Sequence, residues 1–454
     1  MVGPQSEALK ATKRPGHTRR VAFATAAGAM VESYDFGIYG FAAAFVFPHT
    51  FFPSLGSSAA IVASMATLGV AFVTRPAGAI LFGYLGDRYG RKKTLIATVL
   101  GMGLCTVAMG LVPSAESIGI AAPIIVVALR AFQGLAFGGE WAGAQLFATE
   151  HAPAGHRGLY GMFPQVGNGL SNVLGPLTLL GVSSFGQSAF QEWAWRIPFL
   201  GSGILVLVAF YIRLKVEETP IFAKEVGGGK PTRPPLLGAF RQQPWTIVLS
   251  AGALLITFAF YFSVQTFIPH YGVENLGLSQ NEVLGVTAIA GAIYGAAACA
   301  SAVISDKYGR RPVIAVTQVF GVLWGLALFP VLAMPGIVTF AVALCATTLV
   351  AGVTLGALGV LIPEQFPTEY RYTAVGVSYQ LAAVVGGGII PIVAPILTAS
   401  SYGPIAFGVV LAVIAAIAAL CTLSLKEGRN TSMDWSMEGD SDRDRAVAPG
   451  ALRD

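Results

Sequence analysis

Apolar residues gather in long runs separated by short polar segments. Runs of spanning length fall at about 21–46, 58–84, 95–113, 120–148, 160–182, 196–213, 245–268, 283–304, 313–333, 337–361, 373–397 and 403–425. A helix rises about 1.5 Å per residue, so about 20 residues cross the hydrocarbon core of a bilayer. The pattern therefore predicts an all-α membrane protein with twelve transmembrane helices. The basic start, Lys10 to Arg20, followed by apolar sequence has the outline of a secretory leader, but the run continues to Phe47 and carries Glu32 and Asp35. It is read as the first span and not as a cleaved signal.

Composition strengthens this picture. Of 454 residues, 54% are hydrophobic and only 11% charged, and mean hydropathy is +0.68, whereas ordinary soluble domains carry about 25% charged residues. A soluble enzyme is excluded. The formal net charge of +5 comes from short basic clusters between the apolar runs, which reads as a topology signal and not as a nucleic-acid surface. Arg88, Arg91, Lys92 and Lys93 follow the second run, Arg157 the fourth, and Lys307, Arg310 and Arg311 the eighth, while the segments 49–57, 114–118, 183–195, 269–281, 334–336 and 398–402 contain no Lys or Arg. The positive-inside rule then places both termini in the cytoplasm. Cys105, Cys299, Cys345 and Cys421 lie in or at the ends of apolar stretches without paired spacing, so they are expected to be reduced packing residues, with no metal site and no cofactor.

The segment 214–244, rich in Gly and Pro, is expected to be a cytoplasmic linker between a six-helix half at 21–213 and a second at 245–425. Two internal repeats agree with that division. GYLGDRYGRKK from Gly83 recurs as AVISDKYGRR from Ala302, setting Asp87 against Asp306 at an offset of 219, and Glu150-x2-Pro153-x3-Arg157 recurs as Glu364-x2-Pro367-x3-Arg371 at an offset of 214. Duplication and pseudo-symmetry follow. The ends, 1–20 and 426–454, are polar; both are expected to be cytoplasmic, and the second disordered.

Gly83 and Gly86 permit close helix approach, Asp87 can face the positive N-terminus of another helix, and Arg88 and Arg91 can pair with nearby acids. Together with Gly90 and the second-half copy, Asp306, Gly309 and Arg310, these residues are the expected gating motif. Its G-x-x-x-D-R-x-G-R-K-K pattern resembles that of the major facilitator superfamily. VESYDFGIYG at 31–40, TRPAGAILFG at 74–83, LRAFQGLAFGGEWAGA at 129–144, WAWRIPF at 193–199 and EYRYTAVGVSYQ at 369–380 resemble the bacterial metabolite:proton symporters, which include shikimate, oxoglutarate, citrate and proline/betaine carriers. The resemblance implies the fold, alternating access, proton coupling, a gating role for Asp87 and a cell-membrane location. Arg130-x-x-Gln133-Gly134 resembles the superfamily motif of the fourth helix associated with proton transfer. Gly175-Pro176 is followed by Thr178 and Leu179 where antiporters carry glycines, which favours symport.

Five ionisable residues lie inside the first-half spans: Glu32, Asp35, Arg75, Arg130 and Glu140. Each costs at least about 2.5–3.5 kcal/mol on insertion scales, so each is a functional candidate. Helical rise places Asp35 and Arg130 at similar depth, with Glu32, Arg75 and Glu140 in a second layer. Three acids against two bases leave one carboxylate without a permanent partner, as a proton carrier requires. The expected proton-coupling set is Glu32, Asp35, Arg130 and Glu140. The expected substrate-binding set is Arg130, as a bidentate carboxylate anchor, with Arg75, Tyr34, Gln133, Asn168, Asn172, Gln265, Tyr379 and Gln380. An ATP-driven pump is excluded because GGGKPT at 227–232 lacks the phosphate-loop spacing. The expectation is a proton-coupled symporter of a small organic acid, with a zwitterionic osmolyte as the second substrate class and a membrane sensor or passive channel as the second functional class. Its partners are the bilayer, a small molecule and protons, and it is expected to work as a monomer.

Overall fold

The computed structural model describes residues 17–153, 155–215, 240–390, 393–394, 397, 403–429 and 431–433. Its long helices are α1 (His17–Phe45), α2 (Ser57–Tyr89), α3 (Arg91–Leu111), α4 (Ala121–Glu150), α5 (Arg157–Ser183), α6 (Arg196–Leu214), α7 (Pro244–Phe262), α8 (Gln280–Tyr308), α9 (Arg310–Leu332), α10 (Ile337–Glu364), α11 (Arg371–Ala383) and α12 (Gly403–Ser424). Helix α7 continues through a π-helical turn, Ser263–Phe267, into Ile268–Glu274, and α11 runs into another, Val384–Ile389. Among the described residues, nine helices are long and apolar enough to cross a membrane: α2, α3, α4, α6, α7, α8, α9, α10 and α12. Helices α1 and α5, which carry Glu32 and Asp35 and Asn168 and Asn172, and α11, 13 residues long, fall outside that set.

The basic segments are tighter than loops. Only Gly90 separates α2 from α3, and only Gly309 separates α8 from α9, at φ of 112° and 95°. That left-handed region strains a side chain with a Cβ, so glycine lets each helix run to the turn and restart at once. Asp87 and Arg91 thus stand on helical turns at the end of the bundle, here called the basic end.

Helix packing repeats with a shift of six. Helix α1 packs on α5 as α7 packs on α11, α2 on α4 as α8 on α10, and α3 on α6 as α9 on α12. The halves, α1–α6 and α7–α12, meet mainly where α5 lies against α8 and α11 against α2. At the first seam a Cβ added to Gly169 would lie 2.6 Å from the Cα of Gly295, so the backbones touch. Polarity is inverted relative to a soluble protein: Glu32, Asp35, Arg75, Arg130 and Glu140 are buried, while Leu104, Ile204 and Leu420 on the outer faces are about two-thirds exposed. Hydrocarbon around the bundle demands that arrangement.

The tail departs from expectation at its start. Residues 426–429 and 431–433 lie against the basic end, with Met433 buried, because backbone carbonyls there accept hydrogen bonds from buried arginines. The rest of the tail, from 434, and residues 216–239 of the linker lie outside the described residues.

Candidate functional site

Three layers of polar side chains cross the bundle. In the first, Asp35 on α1 and Arg130 on α4 stand 3.8 Å apart, and Gln133, one turn from Arg130, donates to Asp35 and accepts from Arg130. Thr106 on α3 also donates to Asp35. The guanidinium carbon of Arg130 lies 3.8 Å from the ring centroid of Tyr39 and 5.2 Å from that of Phe36. Asp35 and Arg130 therefore meet, as depth arithmetic from the sequence suggests, and Gln133 joins them.

In the second layer Glu140 pairs with Arg213, which also donates to the carbonyl of Leu95, while Thr98 donates to the other carboxylate oxygen of Glu140 at 2.5 Å. This corrects the tally of three acids against two bases: Arg213, the penultimate residue of α6, folds inward and supplies a third base. A Cβ at Gly28 would fall 1.7 Å from the Arg213 guanidinium, so a glycine on α1 opens the space the pair occupies. The signal in the sequence is an arginine in the last turn of an apolar helix, where the long stem can carry the charge back toward the core.

The third layer is a small cavity between the halves. Its first-half wall holds Glu32, Ser33 and Phe36 of α1, Arg75 of α2, Phe137 of α4 and Asn168 and Asn172 of α5. Facing these are Thr257, Phe258, Tyr261 and Phe262 of α7, Tyr294 of α8, Leu355 of α10 and Tyr379 of α11. The Arg75 guanidinium carbon lies 3.6 Å from the Phe137 ring centroid, 4.3 Å from Phe72 and 5.0 Å from Phe36. Neither Arg75 nor Glu32 makes an ion pair or hydrogen bond with another described residue. Phe36 thus touches Arg130 in one layer and Arg75 in the next.

Several expected binding residues fall elsewhere. Arg130 and Gln133 face Asp35 instead of the cavity. Tyr34 packs with Tyr39, Val182 and Phe190 in a separate hydrophobic cluster, and Gln380 donates to the Gly138 carbonyl at 3.3 Å, joining α11 to α4. Asn168, Asn172 and Tyr379 do line the cavity, and Gln265 stands behind its wall, donating to Tyr261 at 3.3 Å and Asn172 at 3.4 Å. Tyr379 is stacked on Trp141 at 3.9 Å. The aromatic wall was hard to foresee, since Phe residues in apolar runs carry no mark of which face they occupy.

Below the cavity the halves are joined at the basic end. Asp87 accepts hydrogen bonds from the backbone N–H groups of Tyr372 and Thr373 at 3.2 and 3.1 Å and from the Thr373 hydroxyl at 2.7 Å. Asp306 accepts from the N–H groups of Gly158 and Leu159 at 2.9 and 3.0 Å. Each aspartate thus sits at the N-terminus of a helix in the opposite half, where unpaired N–H groups and the helix dipole favour an anion. The repeated Glu-Arg motifs also exchange partners: Arg157 pairs with Glu364 at 2.9 Å, and Arg371 with Glu150 at 3.4 Å. Arg91 pairs with Asp87 and lies 3.6 Å from Glu150, and Arg310 pairs with Asp306 at 2.8 Å and lies 3.5 Å from Glu364. Gly83 and Gly86 are pressed against Thr373 and Tyr372. Arg88 stays outside this network, bonding Tyr84 on the exposed side of α2.

The tail completes the basic end. Glu427 accepts from the N–H groups of Arg310 and Arg311 at 3.1 and 2.9 Å, Thr431 accepts from Arg157 at 2.6 Å, and the Met433 carbonyl accepts from Arg371. No motif in the tail announces these contacts, most of which use backbone atoms.

Residues 25–381 match the family model described as Major Facilitator Superfamily, and residues 286–434 match it again. The chain is 38% identical over 421 residues to the inner membrane metabolite transport protein YhjE of Escherichia coli (strain K12), covering 91% of this chain and 95% of that one. It is 36% identical over 386 residues to the shikimate transporter of the same organism, covering 84% and 87%. The fold superposes on the Escherichia coli proton:xylose symporter XylE, bound to 6-bromo-6-deoxy-D-glucose, with a TM-score of 0.76 at 17% identity, covering 92% of this chain and 98% of that one. With a cavity between two helical halves and no enzyme among these relatives, the chain belongs to the Major Facilitator Superfamily and is a multi-pass secondary transporter of the bacterial inner membrane.

Proposed function

We propose that the protein is a proton-coupled symporter that takes up a small organic acid by alternating access. In this reading twelve helices span the membrane, and the basic end, the linker and both termini face the cytoplasm. One observation carries it. A buried carboxylate–guanidinium layer, Asp35 with Arg130, shares the Phe36 ring with a second guanidinium, Arg75, that lines the cavity unpaired. A proton on Asp35 cancels its attraction for Arg130 and, placed on Oδ2, breaks the hydrogen bond from the Gln133 amide, whose nitrogen cannot accept. The resulting shift of Arg130 displaces Phe36 and so alters the wall that holds Arg75. The substrate carboxylate takes Arg75, whose planar fork suits two parallel hydrogen bonds. The anchor is Arg75 and not Arg130, because Arg130 faces away from the cavity.

Joined halves at the basic end make this conformation closed toward the cytoplasm. Loading of proton and substrate favours the alternative state only by binding it more tightly, and release inside resets the pair. All these parts lie within one chain, which is why a monomer is taken as the working unit. Glu32 on the same cavity wall supports a second reading, a zwitterionic osmolyte bridging Arg75 and Glu32.

The test is whole-cell uptake competed by a panel of organic acids and betaines, repeated with a protonophore. Acid-competed uptake abolished by the protonophore supports the proposal; uptake indifferent to the protonophore refutes it. For topology, single cysteines at Ser57 and Gly277 should react with an impermeant thiol reagent in intact cells, and one at Lys230 should not.

A further inference from the structure

We infer that four side chains, Ser33, Asn168, Gln165 and Gln145, form a hydrogen-bonded line that ties occupancy of the cavity to closure of the basic end. The inference rests on the proposed function only for taking this cavity as the transported ligand's site. Ser33 of α1 and Asn168 of α5 stand on the cavity wall. The Ser33 hydroxyl donates to Oδ1 of Asn168 at 2.8 Å, and Nδ2 of Asn168 donates to Oε1 of Gln165, one turn nearer the basic end, at 3.1 Å. Nε2 of Gln165 donates to Oε1 of Gln145 on α4, and Nε2 of Gln145 to the Gly161 carbonyl, both at 3.4 Å. Every donor points the same way, from the cavity toward the basic end.

The line ends at the joint between the halves. Gln165 and Gln145 are fully buried. A Cβ added to Gly359 of α10 would lie 3.0–3.1 Å from the side-chain amide of Gln145, and one added to Gly161 would lie 2.6 Å from Val360, so the last link is pressed against the second half. Within one helical turn of Gly161, the N–H groups of Gly158 and Leu159 hold Asp306, and Glu150, in the last turn of α4 beyond Gln145, pairs with Arg371.

A ligand oxygen that accepts from Ser33 takes the first donor out of the line. While the basic end is closed, Oδ1 of Asn168 then loses its match, and turning that amide toward another donor strands Gln165 in turn. A stranded buried group is costly. Once the halves part at α10, water reaches Gln145 and Gln165 and supplies the missing bonds. The same ligand contact therefore costs more in the closed state than in the open one, and that difference shifts the equilibrium toward opening. Gln165 and Gln145 are positioning residues, acting through Asn168 without touching the ligand. The chemistry that works the line is an acceptor oxygen, of a carboxylate, carbonyl or hydroxyl, placed over Ser33.

Ser33→Ala imitates such a ligand, because it removes the first donor and leaves the rest of the line in place. The readout is the reaction of a cysteine at Val375, buried in α11, with a thiol reagent in purified protein, after subtraction of the rate of the parent chain. Helix α11 packs on α2 at the other seam, so a faster rate there reports opening of the basic end and not loosening around Gln145. Ser33→Ala and Gln165→Leu should each raise the rate about fivefold to tenfold, the scale of one neutral hydrogen bond, and Ser33→Thr, which keeps the hydroxyl, should react as the wild type. With the line already cut, adding Ser33→Ala to Gln165→Leu should raise the rate less than about twofold. An unchanged rate in Ser33→Ala, equal rates in Ser33→Ala and Ser33→Thr, or effects that multiply in the double variant overturns the inference. The comparison of Ser33→Ala with Ser33→Thr decides even where Gln165→Leu does not fold. The assay uses neither gradient nor substrate, so uptake insensitive to a protonophore removes the symport proposal and leaves this inference standing, whereas wild-type rates in every variant remove this inference and leave symport.

Discussion

Asp35 and Arg130 face each other across 3.8 Å with Gln133 bonded to both. At this separation neither direct contact nor independence holds: the amide completes the pair, and a proton on Asp35 changes the bonding of all three. Arg130 cannot be replaced by lysine in such an arrangement, since a point charge cannot meet Gln133, Asp35 and the Tyr39 face together. Arg130→Lys is expected to express and insert normally while losing most uptake, read by radiolabelled substrate in cells with matched protein levels.

Asp87 is predicted to hold the basic end closed. Its carboxylate lies at the N-terminus of α11, an interaction worth about 1–2 kcal/mol in partly buried geometry, which corresponds to a change of about fivefold to thirtyfold in the ratio of closed to open states. Asp87→Asn should cut uptake strongly and leave ligand binding measurable. A cysteine placed at Val375, buried in α11, should label faster from the cytoplasmic side in that variant; unchanged labelling and uptake would return the motif to a topology signal.

The tail contacts lead to a truncation pair. A chain ending after Met433 keeps the hydrogen bonds to Arg157, Arg310, Arg311 and Arg371 and should transport as the full chain does. One ending after Leu425 loses them all and should label at Val375 faster, as Asp87→Asn does. Equal behaviour of the two truncations would show that the docked segment adds nothing to closure.

Glu140 and Arg213 are predicted to hold the first half together without carrying the proton. Removing one partner of a buried pair typically costs about 3–5 kcal/mol, whereas replacing both by apolar residues is often neutral. Arg213→Met alone should lower the thermal denaturation midpoint in detergent, and Arg213→Met with Glu140→Leu should recover most of it and retain pH-dependent uptake. Loss of that pH dependence in the stable double variant would place Glu140 on the proton route.

Particular residues show where sequence reading reaches and where it stops. Helix positions followed from apolar run length, and Asp35 met Arg130 because helical rise fixes depth. Asp87 was legible as a helix-terminus partner, since an acid beside glycines in a basic segment has few other roles, and Asp306 only as its copy in the repeat. Facing was not legible. Arg75 and Arg130 look equivalent along the chain, yet a rotation about their helix axes separates a cavity wall from a closed pair. Arg213 was passed over because residues at a helix end are counted as interfacial, while its long stem reaches inward. The exchange of partners between Glu150-Arg157 and Glu364-Arg371 depends on how the halves are set against each other, which neither copy of the repeat encodes alone.

The most direct test of proton coupling is transport by Asp35→Asn in proteoliposomes, measured twice on the same preparation. The first measurement is exchange of labelled for unlabelled substrate without a gradient, and the second is accumulation driven by an acid exterior. Wild type should do both, its accumulation falling as external pH rises. The account predicts that Asp35→Asn retains exchange and loses accumulation together with its pH dependence. Accumulation by Asp35→Asn at the wild-type level and with the wild-type pH dependence would contradict it.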